Sequence, residues 1–423
     1  MLEPLPQITP NENWEALSLV GNPDFKTVVS KCNAQYLYWD KVKYNSGKFN
    51  PRIVWAALKL NRLMNTVPLK FGSFQLRFGV TQAMQENLHL FDLQMGGIAL
   101  SPDDSNTQYY LYSSLMEEAI ASSQMEGAVT TRKAAKEMLR KQETPKNISQ
   151  RMIVNNYQTI CYLSEHKEQP LTPESLKFIH QMITDGTLNE MQEETDFRTS
   201  DDIVVQDAIN GEIAHTPPKA KNIAKLVMQL CNFFNMDNSA SSPYGFIHPV
   251  IKSIIIHFLL AWIHPFSDGN GRTARTLVYW YLLQKGYRFI EFISISRIIY
   301  RSKRQYEKAF LYVENDEGDL GYFLQYNLDV MKKAANEMRL YLERKSKERV
   351  QALDFMNEGL NSRQAIFIAN QKKKKQNIIT VKEYETIYGV ANQTARSDLY
   401  DLVKKDLVKE VALNKRKVGF IVL

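Results

Sequence analysis

The 423-residue chain carries 53 Lys and Arg against 46 Asp and Glu, a formal net charge of +7. Its 44% hydrophobic and 23% charged content is that of a globular protein, its length suggests two or three domains, and a disordered chain is excluded. The mild basic excess favours anionic partners but does not by itself point to nucleic acid. Cys32, Cys161 and Cys231 form no CxxC pair and read as buried thiols of a reducing compartment. The opening segment, MLEPLPQITPNENW, lacks the basic and apolar regions of a signal peptide, and the apolar run over residues 254–263 is too short to span a bilayer. Both features predict a cytoplasmic protein with no membrane partner.

Residues 1–104 form an N-terminal region in which short helical patterns, such as PRIVWAALKLNRLMN, alternate with extended polar pieces. No chemical constellation lies there. Between residues 105 and 141 two helical patterns meet at SSQMEGAVTT. Ser122 and Glu126 are four apart on one helix face, and Gly127 is a helix stop. A glutamate in a last turn opposes the helix dipole, so it is either an exposed acid at a frayed end or one helped by a cationic partner. Further helices run to about residue 235, interrupted by FRTSDDIVVQDAINGEIAHTPP. There β-branched runs flank Asn210-Gly211, and Pro217-Pro218 close the second arm, which predicts a hairpin over about 197–218.

Two apolar helical runs, VIKSIIIHFLLAW and TLVYWYLLQKG, are joined through WIHPFSDGNGRTAR. Pro265 disfavours helical geometry at His264 and places its imidazole at the mouth of the joint. Gly269 and Gly271 allow positive φ and close approach of backbone to a ligand, and the outgoing helix is expected to begin near Arg272. Its free N–H groups and positive dipole end make a nest for phosphate. Arg272 and Arg275, three apart, share a helix face and can reach one polyphosphate. Asp268 supplies a single hard oxygen ligand, which suits Mg²⁺ bound jointly with phosphates; one carboxylate is too few for a calcium loop. A base, a metal carboxylate, an anion nest and two arginines are the parts that displacement at phosphorus requires. His248 and His257, on the incoming helix, read as capping or core residues.

More helices continue to about residue 347, where the charged stretch RLYLERKSKERVQ bridges to a C-terminal unit over 346–423. In that unit Thr380 and Glu383 form a capping box before a short helix, a turn at Gly389, a second helix and two paired strands in VALNKRKVGFIVL.

The joint resembles the Fic family signature, H-x-F-x-D/E-G-N-G-R-x-x-R, with every specified position filled by His264, Phe266, Asp268, Gly269, Asn270, Gly271, Arg272 and Arg275. The resemblance covers roughly residues 109–326. It implies a mainly α fold: a helical Fic core over 105–345 with a β-hairpin flap, a mostly helical N-terminal region and an appended C-terminal module. It also implies transfer of AMP from Mg-ATP to a hydroxyl of a target protein and of the chain itself. His264 would be the general base and Asp268 the Mg²⁺ ligand. Gly269, Asn270, Gly271 and Arg272 would cradle the α- and β-phosphates, Arg275 would meet the γ-phosphate, and Phe266 would anchor the loop. Asn270 could serve by a left-handed conformation or by donating to phosphate.

SSQMEG is similar to the family's inhibitory motif, S/T-x-x-x-E-G/N, through Ser122, Glu126 and Gly127, on a helix over about 108–127. This implies that Glu126 pairs with Arg275 and displaces the γ-phosphate. In some relatives the same glutamate supports removal of AMP, so the reverse reaction stays open, as does transfer of another nucleotide. The rival class is a DNA-binding regulator whose core only senses nucleotide. The hairpin resembles the family's flap, which makes Val204, Val205 and Gln206 either nucleotide or target contacts or ordinary strand residues. RSKRQYEKAF is similar to a family segment with a tyrosine near adenine, so Tyr306 is an ATP contact or plain packing, and Asn315 a second candidate. The C-terminal unit resembles a winged helix-turn-helix with Gln393, Thr394, Arg396 and Ser397 on the recognition helix, and Lys372–Lys375, Arg416 and Lys417 adding charge. Its partner is DNA, another protein or a second copy of the chain.

Overall fold

The computed structural model describes residues 2–97, 105–188, 196–206, 211, 213–371, 378–414 and 417–423. They divide into two compact units, Met1–Ala335 and Asn336–Leu423. The chain is mainly helical with small hairpins, as the resemblance implies.

The first unit opens with α1 (Pro10–Ser18), α2 (Pro23–Ala34), α3 (Trp39–Asn45) and α4 (Pro51–Met64). In α1, α2 and α4 a proline sits in the first turn behind a capping Thr9, Asn22 or Asn50, so each start is fixed locally. A hairpin follows, β1 (Val67–Phe71) with β2 (Phe74–Phe78), turning through Gly72 at φ 61° and burying Leu69, Phe71, Leu76 and Phe78. The extended polar pieces expected here include this true strand pair. Its signal is the alternation on either side of Gly72-Ser73 in VPLKFGSFQLRF. After α5 (Gln82–Gly97), the N-terminal region is tied to residues beyond 315. Tyr36 donates to Asp319 Oδ1 (2.8 Å), buried Arg62 donates to the Tyr322 hydroxyl (2.9 Å), and Arg77 bridges the Asp319 backbone.

The helical core comprises α6 (Ser105–Met125), α7 (Arg132–Lys141), α8 (Ile148–Glu165), α9 (Pro173–Thr184), α10 (Ile223–Asn235), α11 (Pro249–Ile263), α12 (Asn270–Gln284), α13 (Ile295–Arg301) and α14 (Lys303–Asn315). Between α9 and α10 the short strands β3 (Val205–Gln206) and β4 (Ile213–His215) pair antiparallel, with a bulge between Val205 and Gln206. Helix α11 is apolar all round, and Ile254, Ile255, Ile256, Phe258, Leu259 and Leu260 are all buried, which makes it the central helix. Each such side chain contributes roughly 1.5–3 kcal/mol on burial. Helix α12 packs along α11; α9 and α8 pack on α12, and α6 packs on α8 and α13. This sandwiching holds the α11–α12 joint between buried surfaces.

The charged stretch does not interrupt α15 (Gly321–Asn357), the longest of the described helices. It holds no internal Gly or Pro, and pairs such as Arg339 with Glu343 (2.5 Å, i,i+4) support a solvated helix. In the second unit α16 (Ser362–Gln371), α17 (Val381–Tyr388) and α18 (Asn392–Lys404) are followed by the hairpin of β5 (Val408–Asn414) with β6 (Lys417–Val422). The Thr380–Glu383 capping box forms, and Gly389 at φ 63° ends α17. Phe367, Tyr384, Leu399, Leu402 and Phe420 fill the core of this unit. Gln393, Arg396 and Ser397 are exposed at the start of α18, and Thr394 is half-buried. Asn210, Lys372–Lys375 and Arg416 lie outside the described residues. No helix among those described is long and apolar enough to cross a membrane.

Candidate active site

Helix α11 starts on the side chain of His248, whose Nδ1 accepts the Val250 N–H (3.2 Å), and ends where Pro265 forbids another turn. His264 takes a left-handed conformation there (φ 50°, ψ 58°). Its N–H reaches back to Leu260 O (3.0 Å), and its Nδ1 lies 3.3 Å from Ala261 O. A donating Nδ1 leaves the Nε2 lone pair as the basic site. Phe266 is buried and stacks flat on His180, with ring centroids 3.7 Å apart and planes within 4°. His180 Nε2 lies 2.8 Å from the Asp268 carbonyl oxygen.

The Asn270 side chain is committed to the loop, accepting from Phe266 N–H (3.0 Å) and donating to Phe266 O (2.7 Å). One of its two amide hydrogens is thereby used within the loop, and its backbone N–H opens α12. The left-handed residue beside it is Gly269 (φ 81°), where a Cβ would sit 2.7 Å from Thr184 Cγ2. Helix α12 therefore begins at Asn270, two residues before the expected Arg272. Gly271 does not take positive φ; it is helical. Its missing side chain has a different cause, since a Cβ there would overlap the Glu126 carboxylate.

Glu126 stands just beyond the last residue of α6, not within its last turn, and Gly127 follows at φ 95°. Its Oε1 accepts from an Arg275 terminal nitrogen (2.9 Å), which also donates to Ser122 O (2.9 Å), while Arg275 Nε donates to Ser122 Oγ (3.0 Å). A carboxylate thus lies across the first turn of α12. Burial alone would push the Glu126 carboxyl up, but Arg275 outweighs it and holds it below its ordinary range. Burial likewise works against the Arg275 cation, and the Glu126 charge outweighs it to hold its pKa above the ordinary value. Arg272 is fully buried, donating to Ile183 O (3.2 Å) and to Asp268 Oδ2 (3.2 Å), and its Nε has no partner among the described residues. The Asp268 side chain is 43% exposed beside it.

Burial holds His264 near a pKa of about 4, His180 at about 4 and His257 at about 3, so all three are neutral at neutral pH. His257, a core residue of α11, meets the Tyr306 hydroxyl at 2.9 Å, and burial raises that phenol. Asn315 does not join them: it donates to Tyr38, and nine residues further along α14 is about 14 Å of helix. Val205 pairs with His215 in the hairpin and Val204 precedes β3. The Gln206 side chain lies outside the described residues.

Sequence reasoning missed His180 and Glu118. Glu118, buried one turn before Ser122, accepts from Ser296 N–H (2.9 Å) and Ser294 Oγ (3.1 Å), and no local spacing marks either residue. The buried neutral histidines carry a pH consequence. His180 and His257 have folded pKa values below the ordinary 6.5, so their contribution is complete above pH 6.5 and is lost as pH falls. Each should remove about 2 kcal/mol of unfolding free energy between pH 7 and pH 5. Denaturant unfolding at both pH values checks this, and His257→Gln should lose stability less steeply on acidification by about its own share.

Residues 170–282 match the Fic/DOC family. Similar curated proteins include the protein adenylyltransferases Fic of Drosophila virilis and Drosophila ananassae, each 34% identical over 128 residues. That is 30% of this chain but 23% and 22% of those proteins, so the chain spans less than a quarter of their length. A Fic family protein from Desulfovibrio desulfuricans G20 aligns over 81% of this chain and 97% of its own, with a TM-score of 0.54 and 14% identity. Fic-1 from C. elegans aligns over 80% and 90%, with a TM-score of 0.50 and 15% identity. At these identities the likeness to the two solved structures is one of fold.

Proposed function

The chain is a Fic/DOC family protein, and from that premise we propose that it is an autoinhibited adenylyltransferase acting on a target protein hydroxyl and on itself. One observation carries the reading. A histidine kept neutral by burial stands at the mouth of a helix N-terminus flanked by two buried arginines.

The attacking hydroxyl forms a bond to the α-phosphorus of ATP, its proton passes to His264 Nε2, and the bond from that phosphorus to the pyrophosphate oxygen breaks. Backbone N–H groups of the first turn of α12 receive the phosphate oxygens, and Gly271, with no side chain, leaves that turn open where the Glu126 carboxylate now lies. Arg272 and Arg275 supply fixed positive charge in a dry setting, where it needs no reorganisation as charge develops. The residues fit Mg²⁺ as shared with phosphates. Asp268 is a half-exposed hard ligand, and the described residues hold no cluster that would bind the ion alone. When bound, Mg²⁺ would neutralise phosphate charge.

Restraint comes from Glu126, which occupies Arg275 and overlies Gly271, where the distal phosphates of ATP would otherwise lie. Tyr306 and Val205 are the proposed contacts on the nucleotide side. The C-terminal unit is read as a winged helix-turn-helix that presents Gln393, Arg396 and Ser397 on α18.

The decisive experiment is intact-mass measurement of the Glu126→Gly chain with Mg²⁺ and each nucleoside triphosphate in turn. An AMP adduct with ATP supports the proposal, and a different adduct renames the transferred group. No adduct with any nucleotide overturns it in favour of the nucleotide-sensing DNA-binding regulator.

A further inference from the structure

The last carbonyls of a helix lack intrahelical partners, and the flap takes one from the last turn of α11, that of Trp262, together with those of the C-cap His264 and of Pro265 just beyond it. His215 Nε2 lies 2.8 Å from Trp262 O, Arg198 Nε donates to His264 O (2.8 Å), and the Arg198 backbone N–H donates to Pro265 O (2.8 Å). The same guanidinium reaches both feet of the hairpin, donating to Ser200 O (2.8 Å) on the incoming side and to Pro218 O (2.5 Å) on the outgoing side. Arg198 is 4% exposed. We propose that Arg198 is a positioning residue that couples the flap to His264, so that the flap's set determines how the imidazole is aimed. This rests on His264 being the base proposed above.

The chemistry of the side chain suits the task. A guanidinium is a planar fork of fixed donors, so the flap feet cannot shift without turning it and the His264 carbonyl with it. Its charge also sits at the C-terminal end of α11, where a cation is favourable. Burial does most to keep the imidazole unprotonated, and His215 and Arg198 add to it. A lysine in its place would keep the charge but could not hold the three carbonyls in one plane. A target strand added to the flap would therefore be felt at the base through Arg198, which alone grips both feet of the hairpin and the His264 carbonyl.

The test compares Arg198→Gln and Arg198→Lys in the full chain carrying Glu126→Gly. For Arg198→Gln the labelling rate at saturating ATP should fall about tenfold to a hundredfold, the loss expected of a misplaced reacting group. Its affinity for ATP should fall much less than the rate, because the phosphate nest lies on α12 and the flap adds only the proposed Val205 contact. In histidine-labelled protein the His264 imidazole signal, assigned by its absence in His264→Ala, should titrate at a higher pH than in the Glu126→Gly parent. In Arg198→Lys the signal should stay flat above pH 5 while the rate takes an intermediate value.

An unchanged rate overturns the proposal. So does a loss of rate matched by an equal loss of ATP binding with an unaltered His264 titration, which would mark Arg198 as merely structural. If Glu126→Gly itself transfers nothing, the adenylyltransferase reading fails, while the His264 titration still decides the coupling. If Arg198→Gln does not fold, the Arg198→Lys rate and titration decide it.

Discussion

Glu126→Gly should raise self-labelling by ATP and Mg²⁺ by about tenfold to a hundredfold over the wild-type chain. The magnitude follows from what the carboxylate does. It makes a charge-assisted hydrogen bond to Arg275 at 2.9 Å, and bonds of that kind contribute about 1.5–3 kcal/mol. Each 1.4 kcal/mol is a factor of ten in an equilibrium between a restrained and a productive site. Removal of the side chain does not strand Arg275, because Ser122 still accepts two of its hydrogen bonds. The arginine stays in place and becomes free to meet a phosphate. The Glu126 side chain is 29% exposed, so its loss should cost less stability than breaking a fully buried pair.

Glu126→Gln should give an intermediate rate, since it keeps the shape and loses the charge. The restraint should not respond to pH between 6 and 8. Glu126 has a lowered carboxyl pKa, so its contribution is complete above the ordinary 4.5 and is lost only as pH falls below that range. Intact-mass time courses of the wild type and both variants measure all of this. Equal labelling of wild type and Glu126→Gly would remove the restraint from the proposal.

The loop was legible because its chemistry is local. His264, Asp268, Gly269, Arg272 and Arg275 fall within one short stretch, and proline and glycine rules fix its turn without tertiary information. The capping box at Thr380 was legible for the same reason. Long-range partners were not. His180 meets Asp268 across 88 residues and Arg198 meets His264 across 66, and neither side chain carries a periodic signal.

Gly271 shows how half of an expectation can fail. Its glycine was expected for positive φ and for close approach to a ligand, yet the backbone is helical, and the space that a Cβ would need is held by a carboxylate from another helix end. At Asn270 a side chain expected to face phosphate closes the loop on Phe266 with its oxygen and one amide hydrogen. Charge density misled about α15 because it reads as a bridge, whereas residues free of Gly and Pro extend a helix as readily when charged.

The second large effect concerns the base. His264→Ala, introduced into the Glu126→Gly chain, should lower the transfer rate by about 10²–10⁴-fold, the usual share of a positioned general base. Binding of ATP should persist, because the groups proposed to receive phosphate are backbone N–H groups and arginines on α12, none of which the substitution removes. The pH profile separates this assignment from others. A histidine acts as a base only when unprotonated, and burial holds this one at about 4. The rate in Glu126→Gly should therefore stay level as pH falls from 8 to about 5.5, where an ordinary histidine with a pKa of about 6.5 would already be mostly protonated. A rate that halves near pH 6.5 would mean that the loop opens to water when ATP binds. A rate indifferent to His264→Ala would mean that the proton leaves by another group, and the role assigned to the loop's mouth would fall with it.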